Sequence, residues 1–276
     1  MSKKAQITLL ILIGVILLLI GGLIIYLAAG PTPSPEITIP GELQPVKIYL
    51  DSCIEETAKN AIVNNSLHGG YYELPLFSTQ GYYVDSPYYF HELEIQTPTL
   101  DVLESELALY MNNELKDCID LTQFTEQGIN IELGNVTSKA LIRRDSVLFT
   151  LDFPVTITRQ ETQTKLPKFQ TIIRNIRLST IHNASAIITE EQANDPFSLC
   201  LSCLTDIAIV NSLKLDTTEL GDDTILFTIT DYNSKINEQP LQYRFSNKYL
   251  SYDCSNLPTT LPESVLKSKL IGCLEE

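Results

Sequence analysis

Ile7 to Ala29 is a run of 23 residues without a single charge, ITLLILIGVILLLIGGLIIYLAA, and it limits the chain more than any other feature. At about 1.5 Å per helical residue it covers the roughly 30 Å hydrocarbon core of a bilayer, with room for tilt. Lys3 and Lys4 stand on its N-terminal side, and no Lys or Arg follows until Lys47. Basic flanks stay in the cytoplasm, so the run reads as a single-pass transmembrane anchor in the cell membrane, with residues 30–276 outside. Tyr26 stands where an interfacial aromatic belongs. A cleaved secretory signal would have an apolar region of only about 7–15 residues. Gly14, Gly21 and Gly22 do not form the G-x-x-x-G spacing of helix dimers.

The charge distribution separates the two sides. All 34 acidic residues follow the anchor and face 17 basic ones there, a net charge of −17. Such a surface repels nucleic acid, so nucleic acid is excluded as a partner. Residues 30–41, GPTPSPEITIPG, hold four prolines and predict a short stiff stalk. The organisation expected is a cytoplasmic stub and anchor over 1–29, a Pro-rich stalk over 30–44, and an ectodomain from 45 onward. With 44% apolar residues, the ectodomain has enough material for a packed core.

Periodicity gives the ectodomain an α+β character. Pro45 suits the first turn of a helix, and Val46, Leu50, Ile54, Ala58 and Ile62 form a stripe that Gly69-Gly70 ends. A second helix begins at Thr97-Pro98, with Leu100, Leu103, Leu107, Met111, Leu115 and Cys118 on one face. Alternation then takes over: Ile129, Ile131 and Leu133, followed by Val147, Phe149, Leu151, Phe153, Val155 and Ile157. Arg143-Arg144-Asp145 predicts a turn between neighbouring strands. A strand over 169–178, helices over 180–193 and 197–212, and strands through Ile225–Ile229 and Leu241–Phe245 complete the pattern, with a short helix over 263–273. Helices packed on antiparallel sheet are the expectation. Asp145-Ser-Val-Leu-Phe-Thr and Asp223-Thr-Ile-Leu-Phe-Thr resemble each other, each after a Cys-containing helix. This pattern predicts two related α+β halves, 45–160 and 161–276.

All six cysteines, Cys53, Cys118, Cys200, Cys203, Cys254 and Cys273, lie on the outer side, where oxidation is permitted. Cys53 with Cys118 and Cys254 with Cys273 are the pairings expected. Cys200 and Cys203 then pair locally or cross with that set. Cys200-Leu-Ser-Cys203 is also C-x-x-C. A zinc site would need a second such pair or paired histidines, which the chain lacks. A thioredoxin-like pair should open a helix within a βαβ unit, and no such unit is visible. A structural disulfide is the favoured reading.

No catalytic, cofactor-binding or metal motif emerges. The histidines are His68, His91 and His182, and His91-Glu92 does not continue to the second His of a zincin. Ser264-Val-Leu-Lys267 has none of the companions of S-x-x-K enzymes. Asp222-Asp223 reads as a hairpin tip rather than a calcium site. The unusual segment is 71–90, where 8 of the 22 aromatics fall. Its tyrosines, Tyr71, Tyr72, Tyr82, Tyr83, Tyr88 and Tyr89, are candidates for a contact surface, since phenols combine area, few rotors and a hydroxyl. The alternative is that these rings pack over the flanking helices. Asn64, Asn135 and Asn183 each begin N-x-S/T and are glycosylation candidates.

Lys3-Lys4-Ala5-Gln6 before a long apolar helix resembles the class III signal of archaeal type IV pilin-like proteins. In that family a peptidase cuts before the Gln and the helix stays as filament core or anchor. The resemblance implies a cut between Ala5 and Gln6, although Leu10 stands where the family carries Glu. The whole chain resembles a group of uncharacterised archaeal single-pass, membrane-anchored surface proteins. The features shared are this anchor, Tyr49-Leu-Asp-Ser-Cys-Ile-Glu-Glu-Thr-Ala58, Gly69-Gly70-Tyr71, Leu115-Lys-Asp-Cys118, Cys200-Leu-Ser-Cys203 and Ile225-Leu-Phe-Thr-Ile-Thr-Asp231.

These readings converge on a non-enzymatic cell-surface protein whose ectodomain is structural or binds a protein or glycan, held to the bilayer by residues 7–29. A pilin-like envelope or filament subunit is the second reading, and a tethered redox protein or enzyme the third.

Overall fold

The computed structural model describes residues 40–79 and 84–250, with Gly14 and Leu18. The anchor expected over 7–29 is otherwise outside the described residues, as are most of the expected stalk, Tyr82, Tyr83, Cys254, Cys273 and the helix expected over 263–273. Among the described residues no helix is long and apolar enough to cross a membrane.

Helix α1 (Gln44–Leu67) carries its Pro in the first turn, and its expected stripe is buried: Val46, Leu50, Ile54, Ala58 and Ile62. Gly69 and Gly70 end it at φ of +59° and +91°. A Cβ on Gly69 would stand 2.5 Å from Pro87 Cγ, and one on Gly70 would stand 2.7 Å from Leu103 Cδ1. Only glycine lets the chain turn this close to its neighbours. The following segment leads into β1 (Tyr88–His91) and β2 (Glu94–Ile95). Helix α2 (Leu100–Cys118) is capped by Thr99, whose hydroxyl accepts the Val102 N–H. Leu103, Leu107, Met111 and Leu115 face the core. Each such burial contributes roughly 1.5–3 kcal/mol.

The short helix α3 (Thr122–Thr125) leads into β3 (Ile129–Leu133), β4 (Thr137–Ile142), β5 (Ser146–Arg159) and β6 (Thr162–Arg174). β5 is the axis of this sheet: β6 pairs along one edge, while β3 and β4 share the other. The alternation from Val147 to Ile157 sends every second side chain into the core. The strand expected over 169–178 is corrected at both ends. β6 starts at Thr162, because its first residues pair with β5 although Leu166 alone among them is buried. It stops before Asn175, whose positive φ of 58° breaks the extended run.

Helices α4 (Leu178–Asn194) and α5 (Leu201–Asn211) precede β7 (Lys214–Gly221), β8 (Thr224–Ile236) and β9 (Gln239–Lys248). Asp222 and Asp223 form the β7–β8 turn, both at positive φ, which matches the twist of a two-residue hairpin. Asp222 is paired to Lys248 at 2.5 Å. The second sheet runs β2-β1-β9-β8-β7. β1 lies parallel to β9, so a strand from the first 100 residues completes the sheet made by the last 40 described ones. α1 packs on α2, β6 and β9, and a cut near residue 160 falls in the tight β5–β6 turn. The architecture is α+β, with antiparallel and mixed pairing, and residues from Gly41 onward group as one compact unit.

Candidate functional site

The aromatic run divides between core and surface. Tyr89, offered by the sequence as a contact residue, is fully buried with Phe90. Strand β1 is an interior strand of its sheet, and its alternate face points at α4 and the core. The Tyr89 hydroxyl donates to Gly69 O at 2.7 Å, so the Tyr243 hydroxyl, 2.6 Å away, donates to Tyr89. Burial pushes both phenols up. Tyr71 and Tyr72 are half-buried. Tyr72 lies edge-on to Tyr110 at 5.3 Å, donates its N–H to Glu106 at 2.9 Å and donates its hydroxyl to Glu114. That carboxylate raises the Tyr72 phenol. Tyr72 thus clamps the segment to α2.

What the run does expose is apolar. Leu76 is 91% exposed and Phe77 55%. They are carried on a small fixed ladder. Ser78 bridges Pro87, the Tyr88 N–H donates to Phe77 O at 3.0 Å, and the Thr79 N–H donates to Ser86 O at 2.8 Å. The Ser86 hydroxyl meets that of Ser246 at 2.5 Å in the interior. Phe77 leans on the His91 ring at 6.2 Å, and His91 lies 4.8 Å from the Tyr88 ring. Phe77, Tyr88 and His91 are therefore held by β1 and its neighbours, and Leu76 precedes them on the same segment. Residues 60–115 contain eight acidic residues and no Lys or Arg. Among those eight, Glu73, Asp85, Glu92 and Glu94 are exposed near this edge in sequence. The aromatic count pointed at the segment; the apolar pair inside it was missed, because exposure of a Leu-Phe step has no periodic signature.

Two disulfides join described cysteines. Cys53 of α1 pairs with Cys118 at the end of α2, as expected, with Cα atoms 5.7 Å apart. Cys200 pairs with Cys203, the local one of the arrangements left open. This pair opens α5, although a helix rather than a strand precedes it.

The other end of α5 is gripped by a buried ion pair that the sequence did not mark. Arg177 reaches Asp231 in β8 through two bonds of 2.6 and 3.0 Å, and donates to Asn211 O at 3.1 Å. The Ser234 hydroxyl and the Asn233 N–H also donate to Asp231. Burial pushes the Asp231 carboxyl up, but the Arg177, Ser234 and Asn233 donors outweigh it and hold it below the ordinary range.

The His182 Nε2–H donates to Pro98 O at 2.7 Å, and desolvation lowers the pKa of the ring. A neutral ring must donate Nε2–H to a carbonyl, which fixes the tautomer. Asn135 is exposed in the β3–β4 connection. Asn183 is exposed on α4, and the Asn64 amide is engaged with Tyr72 O at 3.4 Å. Among the described residues no three metal-ligating side chains come together. No family model matches the chain, and neither a curated protein nor a solved structure matches it.

Proposed function

We propose that the chain is a membrane-anchored surface protein whose outer domain binds a protein partner through the edge made by Leu76, Phe77, Tyr88 and His91. The observation that carries this reading is the exposure of Leu76 and Phe77 on a segment whose adjoining residues, Thr79, Ser86 and Tyr89, are locked into the interior. An apolar pair in water has no stability value where it stands, and a rigid one loses little entropy on binding. The carboxylates nearby select a partner whose apolar pocket is rimmed by Lys or Arg. The anchor over 7–29 concentrates the domain at the surface where that partner is met.

The test is photocrosslinking on intact cells. A photoreactive residue at position 76 is expected to give one defined protein adduct that the same residue at Glu161, in the β5–β6 turn, does not give. Equal or absent adducts at both positions would sink the reading.

A further inference from the structure

Cys200 is exposed and caps α5. Its Sγ accepts the Cys203 N–H at 3.2 Å and lies 3.5 Å from the Ser202 hydroxyl. Cys203 is half-buried one turn further on. Beside the pair is a cleft of about 330 Å³ lined in part by Ile188, Leu199, Leu204 and Ile207 and in part by polar side chains. Tyr249 forms part of its wall. Tyr249 is 7% exposed, and its hydroxyl has no hydrogen-bond partner among the described residues. Leaving such a group unpaired costs about 1–3 kcal/mol. Desolvation and the Asp195 carboxylate push this phenol up, so it stays a donor at neutral pH. Between the two cysteines, Leu201 is 66% exposed.

We propose that Cys200 and Cys203 form a thiol–disulfide exchange site that oxidises cysteine thiols of a peptide segment bound in this cleft. A peptide thiolate attacks Cys200 Sγ, the exposed sulfur. The Cys200–Cys203 bond breaks, and its electron pair leaves on Cys203 Sγ, which takes up a proton. A second peptide thiolate attacks the peptide sulfur of the mixed disulfide, and Cys200 departs as a thiolate. The peptide dithiol has lost two electrons and two protons; the pair has gained both electrons and one proton, on Cys203, and the second proton goes to solvent. A low-molecular-weight disulfide restores the oxidised pair by the reverse exchange.

Three groups favour Cys200 as the leaving thiolate: the Cys203 N–H, the Ser202 hydroxyl, and the positive end of the α5 dipole. The charged side chains lining the cleft are Glu191 of α4 and Asp195, and both oppose it. Asp195 is partly engaged by the Phe197 N–H at 3.2 Å and by the Ser198 hydroxyl. The same carboxylates favour a cysteine flanked by Lys or Arg. The unpartnered Tyr249 hydroxyl is the donor available to a peptide carbonyl.

The full chain in detergent tests this with a reduced synthetic peptide carrying two cysteines among Lys and Leu residues. After mild reduction, alkylation followed residue by residue should give Cys200 a midpoint below about pH 7.5. A midpoint at or above about 8.5, that of an ordinary thiol, overturns the proposal. Cys203→Ser, with Cys200 first converted to its mixed disulfide by oxidised glutathione, should exchange onto a single-cysteine form of the peptide with release of glutathione thiol and hold that peptide on Cys200, and an adduct on no cysteine or only on Cys254 or Cys273 overturns it. Tyr249→Phe should slow peptide oxidation severalfold while leaving the Cys200 midpoint in place. An unchanged rate removes the cleft as the peptide site.

Discussion

The two halves of the described chain each present a helix with a cysteine ahead of a three-strand meander, β4–β5–β6 and β7–β8–β9, and they use that cysteine differently. Asp145 and Asp223, which open the two matching hexapeptides, both stand just before the central strand. In the first half Cys118 reaches back 65 residues to Cys53 and ties two packed helices together. Cys53 is 5% exposed, and the Tyr49 ring packs on Phe124 at 5.4 Å beside it. In the second half Cys200 and Cys203 are three residues apart, at an exposed helix start. A bond that closes a long loop in the interior removes much unfolded-state entropy and is shielded from thiols. A bond that closes a tiny loop at the surface does neither. The chain thus carries one sulfur pair that closes a long loop and one that closes a minimal loop at an exposed helix start.

Removing the first pair should have the largest effect. Chain-entropy scaling gives about 4 kcal/mol for a loop of this length, so Cys53→Ser with Cys118→Ser should lower the urea midpoint sharply. Breaking the grip on α5 comes next. Asp231→Asn leaves Arg177 without its carboxylate and should cost about 3 kcal/mol in the same assay. The sign with pH follows from a carboxyl held low when folded. Its contribution is fully present above the unfolded value of about 3.9 and is lost as pH falls through the folded value. The gap between Asp231→Asn and the parent should therefore be flat from pH 5 to 8 and close below about 4. Cys200→Ser with Cys203→Ser should cost less than about 2 kcal/mol, since the loop is minimal and Ser still caps α5. Leu76→Ser with Phe77→Ser should change stability by less than about 0.5 kcal/mol, and Phe77→Ser alone should abolish the adduct formed from position 76. A large loss of stability there would return those residues to the core and end the binding reading.

The long elements were legible because their apolar residues repeat without interruption. α1, α2 and β5 each bury one regular stripe, and β8 and β9 bury most of their apolar residues. β7 was invisible: in Lys214–Gly221 the burial pattern is almost wholly exposed, and only pairing with β8 makes it a strand. β1 was hidden inside an aromatic run whose parallel partner lies more than 150 residues away. For the sites, C-x-x-C was visible, but its cleft depends on Tyr249, which β9 delivers from 46 residues beyond Cys203. The Arg177–Asp231 pair likewise spans 54 residues and has no local signature. Contacts set by strand order, rather than by neighbours in the chain, are what a single sequence leaves unwritten.

The contrast between the two sulfur pairs is tested most directly on the full chain. The protein is equilibrated in glutathione buffers of rising reducing strength, quenched with acid, and mapped by differential alkylation of each cysteine. Cys200 and Cys203 should become reduced across a range in which Cys53 and Cys118 remain joined. If both pairs open together, or the Cys53–Cys118 pair opens first, the second pair is a staple like the first and the exchange site does not exist.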